Sequence, residues 1–197
     1  MKYFVTAAWV LFVFLVPPHV LGGCDSTSEL ADSQVQPEKI GTVEGVNADN
    51  LYLDGRVYIS GQPDESALAE LKDLGVIVVV NARTPAEYED REKVPFDEES
   101  VVRNLGMDYV LIPLGGDEHP YEPGAVQRLA EVLASTDGPV LIHCTLGGRA
   151  AYLWLAYLVQ EEGLPLDQAM ARGEAMMLKP HPIGRLLDRP TTLVFSQ

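Results

Sequence analysis

The chain has 197 residues and a formal net charge of −15, with 47% hydrophobic and 22% charged residues. That balance is globular, and its acidity works against nucleic acid or an anionic lipid surface as a partner, since both carry the same sign of charge. A small anionic ligand would need a local electropositive pocket, so the search is for one.

The chain opens with Met1-Lys2, an apolar run from Tyr3 to Val16, Pro17-Pro18, and then Leu21-Gly22-Gly23-Cys24. A basic start, a short apolar stretch and small residues before a cut site predict a signal peptide over 1–23. Leu-Gly-Gly-Cys resembles the bacterial lipobox, in which the cysteine is freed and lipidated. Cys24 is therefore the expected lipidation site, and the expected location is the bacterial cell envelope outside the cytoplasm, touching the membrane through the lipid alone. A plain cleaved leader and a spanning helix are the alternatives; the run is short for a core of ~30 Å and two prolines end it. With Cys24 so used, Cys144 has no partner in the chain for a disulfide. Residues 24–46, rich in Ser, Thr, Asp, Glu, Gln and Gly, predict a flexible tether, and 47–197 a single domain.

Within that domain, Leu51 to Ser60 predicts one or two short strands. Gly61-Gln62-Pro63 turns, Asp64 caps a helix with Ala67, Leu68, Leu71 and Leu74 inward, and Gly75 ends it. Val76 to Val80 is a β-branched run suited to a strand buried on both faces. Glu87 to Glu99 holds seven acids and two bases and reads as a solvated helix or loop. A helix follows over Ser100–Leu105, a second buried strand over Tyr109–Ile112, and a helix over Gly124–Ser135 with Val126, Leu129, Val132 and Leu133 inward. Pro139–Ile142 is a third buried strand, Ala150–Gln160 a strongly apolar helix, Leu166–Met177 another, and Thr192–Phe195 a final strand. Strands alternating with helices predict an α/β fold, a parallel central sheet flanked by helices. Ligands of such sheets sit at the carboxyl ends of strands, near helix N-termini, which points to the turn after Ile142.

That turn reads His143-Cys144-Thr145-Leu146-Gly147-Gly148-Arg149-Ala150. Amides of a tight glycine-containing turn can form an anion nest, the following helix adds its partial positive charge, and an arginine fork grips two oxygens at once. Such a field favours thiolate over thiol, so the Cys144 pKa is expected below the free value of about 8.5. A thiolate under an anion nest is set up for in-line attack on phosphorus or sulfur. The two glycines let the backbone turn sharply. A buried cysteine beside a glycine turn is the bland alternative, outweighed by the combination of strand, His-Cys, glycines, arginine and helix.

His-Cys-x-x-Gly-…-Arg resembles the signature of cysteine-dependent tyrosine and dual-specificity phosphatases. Tyr58–Pro63, Val78–Arg83 and Tyr109–Pro113 also fall where that group has similar segments. The resemblance is to the beta-lactamase-hydrolase-like, phosphatase-like domain family, a relative of those phosphatases, over about Val57 to Met177. It implies a cysteine-phosphatase-like fold, a Cys144 nucleophile with a phosphocysteine intermediate, Arg149 on the phosphoryl oxygens, no metal and no cofactor, and a phosphorylated small molecule or protein as partner. His143, Thr145, Leu146, Gly147 and Gly148 would frame the substrate site, with Arg83 at the end of a neighbouring strand. His143 is expected to hold the loop by hydrogen bonding. In the resembled phosphatases an aspartate follows the second buried strand and protonates the leaving oxygen; Asp117 is that candidate here, with Glu118 next.

Two departures matter. The Cys144–Arg149 spacing is one residue shorter than usual in such phosphatases, a length that also resembles rhodanese sulfurtransferases. Ala150 stands where they carry Ser or Thr, whose hydroxyl helps the thiolate leave; Thr145 could compensate in part. A sulfurtransferase working through a Cys144 persulfide, and a non-catalytic anion-binding module, are the competing expectations.

Overall fold

The computed structural model describes residues 35–40, 43, 45, 51–176 and 183–188. The leader, Cys24 and the Thr192–Phe195 strand expected from the sequence lie outside the described residues.

Among the described residues six strands form one sheet: β1 (Glu38–Lys39), β2 (Tyr52–Asp54), β3 (Val57–Ser60), β4 (Val78–Asn81), β5 (Asp108–Leu111) and β6 (Val140–His143), in the order β1-β2-β3-β6-β4-β5. Strands β3, β6, β4 and β5 run parallel, while β1 and β2 add an antiparallel edge. The expected parallel sheet is thus present with a small antiparallel extension. Strand β1 falls inside the stretch read as tether. Its two residues are exposed, so no hydrophobic alternation marks it; pairing with Leu53 and Tyr52 makes the strand.

The helices are α1 (Glu65–Asp73), the one-turn α2 (Pro85–Tyr88), α3 (Glu98–Asn104), α4 (Pro123–Ala134), α5 (Gly148–Gln160) and α6 (Leu166–Ala175). The pleat sends alternate residues of each strand to opposite faces. Val57, Ile59, Val78, Val80, Val140 and Ile142 pack with residues of α4, α5 and α6. Tyr58, Val79 and Leu141 pack on the other face with residues of α1 and α3. This two-sided burial is why the strands read as continuous apolar runs.

Local signals hold up well. Asp64 caps α1 by accepting from the Ala67 amide at 2.9 Å, and Gly75 follows the helix with φ +93°. Leu74, expected inward, is exposed, because it lies past the last helical turn as the C-cap. Strand β5, expected to be buried, is only partly so, because it is the sheet edge.

The register decides where chemistry can occur. Ser60 stands opposite His143, His143 opposite Asn81, and Asn81 opposite Leu111. Four parallel strands therefore end on one line, and the loops that follow them gather at one edge.

Candidate active site

Strand β6 runs from Val140 into His143-Cys144, and α5 leaves the loop at Gly148. The loop is tied to the β3 end: the Cys144 amide donates to the Ser60 carbonyl at 3.4 Å, and the Gln62 amide to the Thr145 carbonyl at 3.2 Å. Gly147 is the N-cap of α5 with φ +90°, a left-handed conformation suited to glycine. A Cβ there would stand 3.4 Å from the Ser60 backbone. Gly148 is different, since it is the first residue of α5 and faces open space. Only one of the paired glycines is thus required by the turn.

Cys144 lies at the bottom of this loop, 2% exposed, within electrostatic reach of the Arg149 guanidinium. Arg149 Nη1 donates to Glu87 Oε2 at 2.7 Å and to the Leu114 carbonyl at 2.8 Å. Its Nη2 donates to Glu87 Oε1 at 2.7 Å and to Thr145 Oγ1 at 3.0 Å. Each terminal nitrogen has two hydrogens, so the far end of the fork is fully engaged within the protein. Burial disfavours the charged guanidinium, but Glu87 and Cys144 outweigh it and hold Arg149 above its ordinary value.

Glu87 belongs to the acid-rich run read as a solvated surface, and that reading is corrected here. Thr84-Pro85-Ala86-Glu87 is a capping-box sequence with proline at the first helical position. It forms α2, in which the Thr84 amide and hydroxyl both donate to Glu87 Oε2 at 2.9 Å. Arg149 is the main cause that drives the Glu87 carboxyl down to about 2, with Thr84 adding to it against the effect of burial. Glu87 is therefore a resident anion, fully ionised at neutral pH. The capping box was the signal that could have found it.

The same run supplies Glu98, the first residue of α3, 4% exposed. Its Oε2 accepts from Gln62 Nε2 at 3.0 Å and Asn81 Nδ2 at 3.3 Å, while His143 Nε2 lies 2.6 Å from its Oε1. Burial alone would raise this carboxyl; His143, Gln62 and Arg83 together hold it below the usual carboxylate value. Nothing in the local sequence separates Glu98 from its acidic neighbours.

Arg83 was expected either to help frame the pocket or to pair with a nearby acid. It is 2% exposed and donates from its two terminal nitrogens to the Gln62 side chain and the Glu87 carbonyl, which fixes α2 against the end of β3 at the margin of the cavity. Thr145 was considered as a substitute for the hydroxyl missing at Ala150, but its own hydroxyl faces Glu87, at 3.3 Å, and Arg149. Leu146 is 61% exposed at the rim of the loop. Asp117 is exposed in the loop between β5 and α4, which is pinched by the Gly115 amide donating to the His119 carbonyl at 2.7 Å. It is not among the groups that contact Arg149. Tyr121, further along that segment and half-buried, lies within electrostatic reach of Arg149, Cys144 and Glu87; burial is the main cause that raises its phenol.

A cavity of about 900 Å³ opens beside the loop. Thr145, Gln62 and Arg83 line it from the strand ends, and Lys93, Pro95 and Phe96 from the acid-rich run. Among the described residues no three His, Cys, Asp or Glu side chains converge as a metal site requires.

A parallel sheet that delivers a cysteine into a loop closed by arginine, at the N-terminus of a buried helix, is the architecture of the cysteine phosphatases. The chain belongs to the family described as "Beta-lactamase hydrolase-like protein, phosphatase-like domain", which it matches over residues 51–160. It is 28% identical over 123 residues to a Beta-lactamase hydrolase-like protein of Xylella fastidiosa, covering 62% of this chain and 28% of that protein. The chain thus spans less than a third of that relative. Among solved structures, a candidate phosphatase (DUF442) from Shewanella putrefaciens superposes with a TM-score of 0.56 at 28% identity, covering 73% of this chain and 91% of that one. Kinase associated phosphatase, solved with its catalytic-site cysteine changed to serine, gives a TM-score of 0.53 at 17% identity, over 60% and 74% of the two chains, a likeness of fold alone.

Proposed function

We propose that the chain is a cysteine-dependent phosphatase acting on phosphate monoesters of a small molecule or protein. The observation that carries this reading is Cys144 buried at the base of the loop that Arg149 closes at the start of α5, in a chain of the phosphatase-like family. In the first step the Cys144 thiolate attacks phosphorus and the P–O ester bond breaks. The bonding pair leaves on the ester oxygen, which takes a proton from Asp117. In the second step water attacks phosphorus, the P–S bond breaks with its pair returning to sulfur, and the water proton passes to the Asp117 carboxylate. Arg149 and the loop amides hold the phosphoryl oxygens throughout.

One observation favours a second reading. The terminal nitrogens of Arg149 are already engaged by Glu87, Leu114 and Thr145, which leaves fewer donors for a phosphoryl group. A sulfurtransferase needs fewer: the Cys144 thiolate would take the outer sulfur of thiosulfate, sulfite would leave with the bonding pair, and an acceptor such as cyanide would collect the sulfur.

The test is phosphate release from an aryl phosphate by wild type, Cys144→Ser and Asp117→Asn. Release that vanishes in the first variant and falls in the second with anion binding retained supports the phosphatase reading. Release that survives Cys144→Ser sinks it. We also infer that Cys24 is lipidated and holds the domain outside the cytoplasm. Cys24→Ala should then move the protein from the membrane fraction to the soluble one, and an unchanged distribution would reject the anchor.

A further inference from the structure

We propose that Glu98 is a positioning residue for Cys144 that acts through His143, an assignment that rests on Cys144 being the reactive nucleophile. Three strand ends meet on this one carboxylate: Gln62 after β3, Asn81 at the end of β4, and His143 at the end of β6. Each of them also holds part of the site. The Gln62 amide fixes the Thr145 carbonyl at 3.2 Å, and Asn81 Oδ1 accepts from the Arg83 amide at 2.8 Å. The His143 carbonyl accepts from the Ala82 amide at 2.8 Å, and its α-carbon leads directly into Cys144.

The placement is hard to explain as packing alone. Glu98 and His143 are both buried, at 4% and 0% exposure. An ionised carboxylate at that depth costs more than a hydrocarbon of similar volume, so a purely structural role would be served better by an apolar side chain. Neither ring nitrogen of His143 nor Glu98 Oε1 has an aligned hydrogen-bond partner among the described residues, so the close ionic contact of Nε2 with Oε1 at 2.6 Å is what ties the ring to the carboxylate. The Glu98 carboxylate lies directly against Nε2, so the ring is held at that nitrogen. The ring, the His143 main chain and the Cys144 sulfur are then placed together. Loss of the carboxylate charge should loosen that placement while leaving the strands paired.

The experiment is a double-mutant cycle on the full chain, with Glu98→Gln, His143→Asn and both together. Glutamine retains an acceptor oxygen for Gln62 and Asn81 and nearly the same shape, so the fold should persist, and thermal melting verifies it. The readout is the rate of Cys144 alkylation by iodoacetamide at neutral pH, with Cys144→Ser as the blank, so no assumption about substrate enters. Each single variant should slow alkylation by about tenfold, the scale of one coupled charged contact, and the double variant should be no slower than the slower single. Wild-type alkylation rates in Glu98→Gln, or effects that multiply in the double variant, would overturn the proposal. If the coupled pattern holds but wild type releases no phosphate, the phosphatase reading fails and the role of Glu98 stands.

Discussion

The Glu87 carboxylate spans both terminal nitrogens of Arg149, each at 2.7 Å, so the arginine that closes the loop is gripped end-on by an anion from a neighbouring one-turn helix. Two effects of Glu87 oppose each other. It occupies donors that a ligand could use, and it fixes the fork in place. The bidentate grip sets the direction of the guanidinium, so the fixing effect should win. Glu87→Ala should lower kcat/KM for an aryl phosphate by about ten- to a hundredfold, the range for removing one partner of a partly buried, bidentate charge pair. Glu87→Gln should lose less, because its amide oxygen still accepts one of the two bonds. Steady-state kinetics of both variants check this; a gain in kcat/KM for either would mean that occupancy of the fork dominates.

The same pair sets a pH dependence of stability. Glu87 titrates at about 2 in the folded chain, chiefly because of Arg149, against an ordinary 4.5. The folded state therefore binds this proton less readily than the unfolded chain does. Its stabilising contribution is complete above about pH 4.5 and disappears as the pH falls through about 2. Urea midpoints of wild type and Glu87→Gln, measured from pH 7 down to pH 2, should stand apart at the upper end and converge at the lower. A gap that widens on acidification would contradict the assignment.

Gly147 and Gly148 should respond in opposite ways to alanine. At Gly147 the left-handed φ of +90° and the Ser60 backbone 3.4 Å from an added Cβ make Gly147→Ala destabilising by about 1–2 kcal/mol, with the loop displaced. Gly148 begins α5 with no atom within 4 Å of an added Cβ, so Gly148→Ala should be neutral or mildly stabilising. Chemical denaturation separates the two; equal effects would mean the loop takes another conformation in solution.

Far from the loop, Asp54 joins three elements. Its carboxylate accepts from Arg172 at 2.8 Å and from the Trp154 indole at 2.8 Å, which ties β2 to α5 and α6. Asp54 and Arg172 are buried, at 0% and 1% exposure. Asp54→Ala removes the carboxylate that accepts from both buried Arg172 and the Trp154 indole and should destabilise the domain by about 3–5 kcal/mol. Replacing Asp54 and Arg172 together by apolar residues should recover most of that loss. Thermal and urea unfolding of the single and double variants report it, and a double variant as unstable as the single would show that Trp154 is what needs the carboxylate.

The sheet was legible because its central strands are buried on both faces and so appear as short apolar runs, as Val78–Val80 and Val140–Ile142 do. The Cys144 loop was legible because strand, glycine and arginine follow one another along the chain. Glu87 and Glu98 were less so. Each sits in a run of seven acids; a capping box marks Glu87, but for Glu98 only the folded contacts distinguish it from the acids that stay in water. Arg83 poses a related difficulty: a strand-end arginine can face a ligand or a neighbouring loop, and its bond to the Glu87 carbonyl depends on how α2 folds back. Strand β1 carries no pattern of its own and exists through its pairing with β2.

The most direct measurement is the mass of the covalent adduct on Cys144. Rapid quenching after mixing with an aryl phosphate, followed by intact-mass and peptide spectrometry, should find a phosphoryl group on Cys144 and none in Cys144→Ser. Because Ala150 supplies no hydroxyl to the departing thiolate, that adduct should persist, and Ala150→Ser should shorten its lifetime. A Cys144 that gains one sulfur atom from thiosulfate and never a phosphoryl group would contradict the phosphatase and make the chain a sulfur carrier.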